Sequence, residues 1–444
     1  MSYPPGAMST SPLDEAYARR MSGDPPGALR IATALLEAEP GHLAAATLAC
    51  SILVEADRGL VAGEVARRLV DAFVNRGDLP MAVVAARVAE AAGEDGSEAI
   101  EAIAEAFGLG SDRLADVAPS PPALPPPVGD AGTLATLGGD ALLDRAEKAI
   151  AGTLAWLAED PVAGDTKLPA VPLLSELEPD ALARLLEAVE LRDAGEGEEV
   201  VAQDTEGREA YLLARGMLEV VRRDGAEETV LAALGPGAIF GEMALVSEAP
   251  RAASVRATEP ATLLVISREA LESAAKKAPV ISRQLANFCR ARMLANLMRV
   301  SPILRAVAPQ DRQALLERFE TRHFEQGDVL VARGDEAEGL FLIASGHVEV
   351  IGEDDDGDML RIAELGPGNV VGEISLVLRR PANATVRAAT PAVALELTRE
   401  QFQQAIRQHP TLLSELYATA TARDEETRSV VGQQALDLED VVLL

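Results

Sequence analysis

The 444-residue sequence has few aromatic residues, cysteines and histidines. Aromatic residues make up 3% of the chain, and it contains two cysteines and four histidines. The cysteines, Cys50 and Cys289, are too few and too far apart for a disulfide scaffold, so they indicate reduced thiols in a cytoplasmic protein. The histidines are scattered without the spacing of metal ligands, so we expect no metal site.

Basic side chains are also scarce relative to acidic ones: 40 against 71, a formal net charge of −31. Such a surplus repels nucleic acids and anionic membranes, so neither is an expected partner. No apolar run approaches the roughly 20 residues that span a bilayer, and no secretory signal pattern is recognisable. Because there is also no nucleophile–base set and no nucleoside-triphosphate loop, we expect no catalytic residues and no enzyme activity.

One segment carries most of the functional information: F-G-E-M-A-L at residues 240–245, followed by P-R-A-A-S-V at residues 250–255. Glu242 and Arg251 place a carboxylate and a guanidinium around a stretch that can form a helical turn. The backbone N–H groups at the start of such a turn can bind an anion, and an arginine adds bidentate bonds that match a phosphate. A carboxylate only accepts hydrogen bonds, so the pattern predicts a small phosphate ester with a free hydroxyl.

This segment resembles the phosphate-binding cassette of cyclic nucleotide-binding domains, as in protein kinase A regulatory subunits and bacterial cAMP receptor proteins. The resemblance implies that Glu242 binds the ribose 2′-hydroxyl and Arg251 the cyclic phosphate, with nearby backbone amides completing the phosphate site. In the family, alanine at the position of Ala252 is typical of cAMP binding, so cAMP is the implied ligand and cGMP the alternative. The implied ligand-binding residues are Phe240, Gly241, Glu242, Met243, Ala244, Arg251, Ala252 and Ser254.

A second copy of the pattern follows about 130 residues further along the chain. Y-L-L-A-R-G at residues 211–216 recurs as F-L-I-A-S-G at residues 341–346, and L-G-P-G at 234–237 recurs at 365–368. In each copy a helical pattern precedes short apolar segments separated by Gly and Asp turns, which predicts a small antiparallel barrel. The predicted class is α+β: an N-terminal α-helical hairpin array, then two antiparallel β-barrel (jelly-roll) domains with flanking helices.

The second copy departs from the first where the phosphate would bind. It retains Gly372 and Glu373, but Ala382 stands in the arginine position and Asn383 follows it. A phosphate buried without its cation would be poorly compensated, at a cost of about several kcal/mol. We therefore expect this degenerate site to bind no cAMP and the domain to be a structural or protein-contact module. Weak binding, a substitute arginine from the adjacent loop and a different ligand are the alternatives.

Composition divides the chain into consecutive segments. These are a flexible tail (1–22), an α-helical and weakly tetratricopeptide-like domain (23–115), a proline-rich linker with an amphipathic helix (116–165), the first (166–299) and second (300–428) cyclic nucleotide-binding domains, and a C-terminal tail (429–444). A faint repeat links Gly23-Asp24 to Gly77-Asp78 in the helical domain. We expect the amphipathic helix, with Trp156 beside its apolar face, to pack on the first barrel or on another copy of the chain.

The predicted function is that of a non-catalytic cytoplasmic receptor for a cyclic nucleotide, in the first instance cAMP. Binding would be passed to a protein partner through the N-terminal helices, since helical arrays offer concave surfaces to partners. The runner-up is a regulatory subunit of a cAMP-dependent kinase, because the tandem domains resemble that arrangement and Arg19-Arg20-Met21-Ser22 has the form of a kinase substrate motif. A scaffold with mainly structural barrels is the third alternative, and a homo-oligomer is left open.

Overall fold

The computed structural model describes residues 11–115, 134, 136–159, 166–224, 227–245, 249–353 and 359–441. Within these residues the chain forms two compact units. The first comprises residues of Met1–Ala202, Arg208–Leu245 and Ala253–Ala286, and the second comprises residues of Gln203–Gly207, Val246–Ala252 and Asn287–Leu444. The proline-rich part of the predicted linker lies outside the described residues.

The N-terminal part of the first unit is a succession of helices, each packed on the next. They are α1 (Pro12–Met21), α2 (Pro25–Ala38), α3 (Leu43–Glu55), α4 (Gly59–Asn75), α5 (Leu79–Ala91) and α6 (Gly96–Phe107). The flexible tail predicted for residues 1–22 is wrong for α1. Ser11 caps this helix, proline occupies its first position, and Tyr17 is buried, so the segment is anchored.

The two Gly-Asp pairs mark the same kind of turn between helices. Gly23 and Gly77 have φ angles of +83° and +77°, a left-handed conformation that ends a helix and that glycine adopts without steric cost. Asp24 and Asp78 then each accept a hydrogen bond from the backbone N–H three residues further on, which caps α2 and α5. The faint sequence repeat therefore corresponds to a repeated helix–turn–helix unit.

The amphipathic helix of the linker, α7 (Gly139–Glu159), packs on α2, α3 and α4. Trp156 lies against Gly41, where a Cβ would come within 2.8 Å of the indole ring. The guanidinium of Arg76 lies 5.6 Å from the centroid of the same ring. The prediction that this helix packs on the first barrel or on another copy of the chain is therefore wrong, because its apolar face is covered by the helical domain.

The first β domain follows a short parallel pair, β1 (Leu114–Ala115) with β2 (Leu168–Pro169), and helix α8 (Pro179–Glu187). Its strands are β3 (Glu190–Ala194), β4 (Glu199–Val201), β5 (Glu209–Arg215), β6 (Leu218–Asp224), β7 (Glu227–Leu234), β8 (Ile239–Phe240), β9 (Ser254–Ala257) and β10 (Ala261–Ser267). They form two four-stranded antiparallel sheets, ordered β3-β10-β5-β8 and β4-β9-β6-β7, which share one apolar core. Helices α9 (Arg268–Lys277) and α10 (Val280–Val300) come next.

The second β domain repeats this topology, with sheets ordered β11-β18-β13-β16 and β12-β17-β14-β15. Its strands are β11 (Glu320–Phe324), β12 (Val329–Val331), β13 (Gly339–Ser345), β14 (Val348–Glu353), β15 (Met359–Leu365), β16 (Val370–Val371), β17 (Thr385–Ala388) and β18 (Ala392–Thr398). Its helices are α11 (Pro302–Arg305), α12 (Arg312–Leu316), α13 (Glu373–Leu378), α14 (Arg399–Gln408) and α15 (Pro410–Val441). The tail predicted from residue 429 is wrong for the backbone through Val441, which continues α15.

A helical N-terminal region followed by two antiparallel β domains is thus confirmed. The sheets of each β domain are open, so the predicted closing of each domain into a barrel is not confirmed. Of the helices that the structure describes, none is long and apolar enough to cross a membrane. Cys50 and Cys289 are both buried, and they do not form a disulfide.

In the first unit the helical domain packs directly on the first β domain. Helix α5 contacts β5, and α6 contacts α8. Arg87 of α5 donates hydrogen bonds to two carbonyl groups at the C-terminal end of α8, at 2.9 and 2.7 Å. Arg215, at the end of β5, forms an ion pair with Asp14 of α1, and its guanidinium lies 3.8 Å from the ring centroid of Tyr17. Strand β5 and helix α1 are therefore held by a largely buried charged contact.

At neutral pH the charged carboxylates of the equivalent caps Asp24 and Asp78 should change the free energy of unfolding in opposite directions. Burial raises the pKa of Asp78 to about 6, so its contribution to stability is greatest below about pH 4 and is lost as the pH rises through about 6. Asp78→Asn keeps the cap and removes the buried charge. We expect it to raise the free energy of unfolding at about pH 7 by about 1–2 kcal/mol, with little effect at about pH 4.

Asp24→Asn is the matched control. The hydrogen bond from the Gly27 N–H lowers the pKa of Asp24, so its charged form stabilises the fold above the usual pKa. This variant should therefore be less stable than the parent at neutral pH. Denaturant unfolding at both pH values measures the effect. If the free energy of unfolding depended on pH equally in the two variants, the opposite pKa shifts assigned to Asp24 and Asp78 would be contradicted.

Candidate functional site

The segment 240–245 forms a tight turn in the first β domain. Phe240 pairs with Tyr211 across β8 and β5, and their rings stack with centroids 5.1 Å apart. Gly241 has a φ of +73°, which lets the chain turn into a short 3₁₀ helix over Glu242–Leu245. Glu242 is only 5% exposed, so the turn buries a carboxylate. Met243 is half-buried beside it.

Arg268, the first residue of α9, bonds to the C-terminal part of this turn. Its guanidinium donates hydrogen bonds to the carbonyl oxygen of Ala244, from Nε at 3.1 Å and from Nη2 at 2.5 Å. The position of the turn is therefore tied to the start of α9. Sequence reasoning missed Arg268, although an arginine also begins the corresponding helix of the second copy. That residue, Arg399, donates to the carbonyl oxygen of Ala337 at 3.0 Å.

Arg251 lies in the second unit with the segment Gln203–Gly207. Its backbone N–H donates to Thr205 O, and its carbonyl oxygen accepts from Asp204 N–H, both at 2.9 Å. The residue is 8% exposed, and a Cβ built on Gly207 would overlap the guanidinium. Gly207 therefore makes room for the Arg251 side chain. No motif in the sequence pointed to this glycine.

The other residues predicted for the first site are divided between the two units. Phe240 to Ala244 and Ser254 belong to the first unit, and Arg251 and Ala252 belong to the second. Ser254 begins β9 opposite Val221 and is buried, whereas Ala252 is exposed. Residues 246–248 of the segment lie outside the described residues.

The second β domain repeats the backbone arrangement of Arg251 around Ala382. Ala382 N–H donates to Asp335 O at 2.9 Å, and its carbonyl oxygen accepts from Gly334 N–H at 2.8 Å. These are the same two bonds that Arg251 makes with the segment Gln203–Gly207. Ala382 is therefore the structural equivalent of Arg251, as the comparison of the two copies predicted.

The same register shows a second exchange of residues. Ala337 stands two residues after Asp335, as Gly207 stands two residues after Thr205. A methyl group thus occupies the position that is left open beside the Arg251 guanidinium. Ala337 is 4% exposed, and its N–H donates to the hydroxyl oxygen of Ser375 at 2.9 Å.

Glu373, the first residue of α13, is paired with the C-terminal helix. It is 2% exposed and follows Gly372, whose φ of +86° matches that of Gly241 in kind. Arg423 of α15 donates from Nη1 to the Glu373 carboxylate at 3.0 Å and from Nη2 to the side-chain oxygen of Asn369 at 3.2 Å. Burial raises the pKa of Glu373, and the Arg423 guanidinium opposes that rise.

Asp424, the next residue of α15, binds the loop that follows α13. The side-chain amide of Asn383 donates to Asp424 at 2.9 Å, and the guanidinium of Arg380 donates to its other oxygen at 3.4 Å. The loop arginine at 380 therefore points to a carboxylate on α15. This arrangement gives no support to the alternative in which it replaces the missing cation of the degenerate site.

A cavity of about 80 Å³ lies between this turn and α15. Most of its lining is apolar, from side chains such as Val331, Val350 and Val386, and its polar groups include Glu373 and Arg423. Pockets that hold drug-sized ligands usually measure about 300–1,000 Å³. The cavity as it stands is therefore much smaller than a nucleotide site.

Comparison with known proteins matches both β domains to one family. The family model described as "Cyclic nucleotide-binding domain" matches residues 191–278 and 321–409, which include both turns described above. The two matched segments fall within the predicted domain limits of 166–299 and 300–428.

Two curated relatives are similar to about half of the chain. The chain is 29% identical over 231 residues to a "cAMP-dependent protein kinase regulatory subunit" of Blastocladiella emersonii, covering 52% of this chain and 55% of the relative. It is 28% identical over 225 residues to the "cAMP-dependent protein kinase type II regulatory subunit" of Drosophila melanogaster, covering 51% and 56%. The chain thus spans about half the length of these relatives. A solved structure of the regulatory domain of Toxoplasma gondii PKA with cAMP is 21% identical, covering 56% of this chain and 92% of that one, with a TM-score of 0.28.

Proposed function

Since its two domains make the chain a member of the tandem cyclic nucleotide-binding family, we propose that it is a non-catalytic, cytoplasmic cyclic nucleotide receptor that acts on a protein partner. The first β domain is the proposed binding site, and cAMP is the proposed ligand. The names of the relatives and the alanine at position 252 support cAMP, with cGMP as the alternative. The observation that carries the proposal is the buried Arg251, whose guanidinium lies beside Gly207 in space that a Cβ at position 207 would overlap.

In the proposed complex the Arg251 guanidinium binds the cyclic phosphate. A planar fork of N–H donors matches phosphate oxygens, and a buried arginine is positioned with little loss of entropy. The Glu242 carboxylate accepts a hydrogen bond from the ribose 2′-hydroxyl, and backbone amides near Ala244 and Ala252 complete the phosphate site. No metal or further cofactor forms part of the proposal.

Two contacts support a route from this site to the rest of the first unit. Arg268 joins the carbonyl group of Ala244 to α9, so a shift of the turn would move the start of that helix. Arg215 joins β5 to α1, so the helical domain would respond to changes in the same sheet. We propose that the helical domain is a weakly tetratricopeptide-like hairpin array and that the partner binds to it. By linkage, a partner that prefers the bound state tightens cAMP binding.

The second candidate function is regulation of a cAMP-dependent kinase catalytic subunit. The similarity to regulatory subunits of cAMP-dependent protein kinases favours it. The motif at residues 19–22 does not favour kinase regulation. Its two arginines lie at the end of helix α1 and form ion pairs with Glu15, Asp24 and Glu55. Inhibition of such a catalytic subunit by the full chain, relieved by cAMP, would support kinase regulation over the general receptor role.

We expect Arg251→Ala to weaken cAMP binding by roughly two to three decades, since a lost charge-assisted phosphate contact is worth about 2–5 kcal/mol. Calorimetric titration of the full chain measures the affinity. Arg256→Ala is the matched control. Arg256 lies five residues after Arg251 and forms ion pairs with Glu219 and Glu228. Equal affinities of the parent and Arg251→Ala would remove the phosphate-binding role.

Base preference gives a separate test of the ligand. The parent should bind cAMP more tightly than cGMP, and Ala252→Thr should improve cGMP binding several-fold, by about 1 kcal/mol, because it adds a hydroxyl that can reach the guanine amino group. Competition of both nucleotides against a fluorescent analogue measures the ratio. An unchanged ratio in the variant would show that residue 252 does not contribute to base preference.

A further inference from the structure

We propose that the chain itself occupies most of the ligand pocket of the second β domain. Helix α15 takes the place of a ligand at the carboxylate end, and small side chains close the end where a phosphate would bind. The domain is thereby held in a closed state that requires no nucleotide. The part of this proposal that concerns nucleotide binding rests on the function proposed above, whereas the closed state can be tested without any ligand.

At the carboxylate end, Arg423 satisfies Glu373. A buried carboxylate is stable only when it is paired and hydrogen-bonded, and the guanidinium supplies a charge-assisted bond at 3.0 Å. The same guanidinium also bonds to Asn369 and, at 2.5 Å, to the carbonyl oxygen of Val370. A ribose hydroxyl, which is an uncharged donor, would have to compete with this guanidinium for the Glu373 carboxylate.

At the phosphate end, two side chains differ from the first domain besides Ala382. Ala337 carries the methyl group that Gly207 lacks, at the place where the Arg251 guanidinium lies in the first copy. Ser375 accepts the N–H of Ala337 at 2.9 Å, which fixes the loop that carries this methyl group. An arginine at position 382 would therefore lack the space that Arg251 has. Restoring the cation alone does not restore the site.

Helix α15 is held in this place by contacts on both sides of Arg423. Asp424 binds Asn383 at 2.9 Å, and Thr411 donates to the carbonyl oxygen of Ala306 at 2.6 Å near the start of the helix. Leu412, Leu416 and Ala420 recur at four-residue spacing and are fully or almost fully buried. One face of the helix is thus packed on its own domain, so the contact of Arg423 with Glu373 is part of a continuous interface.

The closed state is tested by hydrogen exchange on the full chain without nucleotide. Arg423→Ala should speed exchange in residues 410–429 and 373–378 by at least about tenfold, because local opening follows the stability of the contacts that hold a segment. Arg423→Lys keeps the charge but lacks the planar guanidinium that bonds through both Nη1 and Nη2, so it should give an intermediate increase. Arg407→Ala, an exposed arginine on α14, is the matched control and should leave exchange unchanged.

If both Arg423 variants exchange like the parent, the C-terminal helix is not held through this residue and the proposal is overturned. This outcome does not depend on whether the chain binds a nucleotide. A failure of the proposed function, seen as no binding of cAMP by the parent, is therefore distinguishable from a failure of the closed state.

The closure of the phosphate end is tested by exchanging the two small residues, with calorimetric titration of cAMP as the readout. Ala382→Arg alone should leave one binding site per chain, and a second site should appear only when Ala337→Gly is added.

The reverse exchange is made in the first domain. Gly207→Ala should weaken the first site at least tenfold, because its methyl group displaces the Arg251 guanidinium. Gly195→Ala is the matched control, since no atom lies within 4 Å of a Cβ built there. A second site in Ala382→Arg alone, or parental affinity in Gly207→Ala, would overturn this closure.

Discussion

A carboxylate buried in a turn must be compensated, and both β domains are built around this constraint. Glu242 and Glu373 follow left-handed glycines and are 5% and 2% exposed. In the second domain the compensating group comes from the chain, because Arg423 reaches the carboxylate from α15. In the first domain we propose that the Glu242 carboxylate also binds a ligand hydroxyl, so that the first domain responds to a ligand and the second does not.

The two domains differ little in backbone and decisively in a few side chains. Both make the same pair of hydrogen bonds around residues 251 and 382, and both have the same strand order. The exchange of Gly207 for Ala337 and of Arg251 for Ala382 changes what can be buried there. One copy has an arginine beside a glycine, and the other has two methyl groups. A short-range change in volume and charge therefore accounts for the proposed division of roles.

Local patterns in the sequence predicted the parts of the structure that depend on local chemistry. The cassette residues, the internal repeat and the loss of the arginine at Ala382 were all visible, because turns and apolar alternation leave a signature at fixed spacing. The anchoring of α1 was missed, although Ser11 followed by a proline is a helix-start signal. The length of α15 was missed as well, because Gly432, Asp437 and Asp440 lower the helix propensity of its C-terminal part.

Contacts between distant segments could not be predicted in the same way. Arg423 lies 50 residues from Glu373 in the chain, and nothing in its neighbourhood marks it as the partner of a buried carboxylate. The apolar stripe of α7 showed that this helix is buried but not which surface covers it. Gly207 was overlooked because the evidence for its role is the guanidinium of Arg251, which only the folded chain brings beside it.

We propose that the first β domain binds a ligand, whereas the pocket of the second is already occupied by its own helix. Hydrogen exchange of the parent chain with and without saturating cAMP distinguishes the two domains. We expect new protection in residues 240–245 and 249–254 and at the start of α9, with residues 372–384 and 410–429 unchanged and already protected without nucleotide. Equal new protection in the two domains, or protection in the second alone, would contradict this proposal.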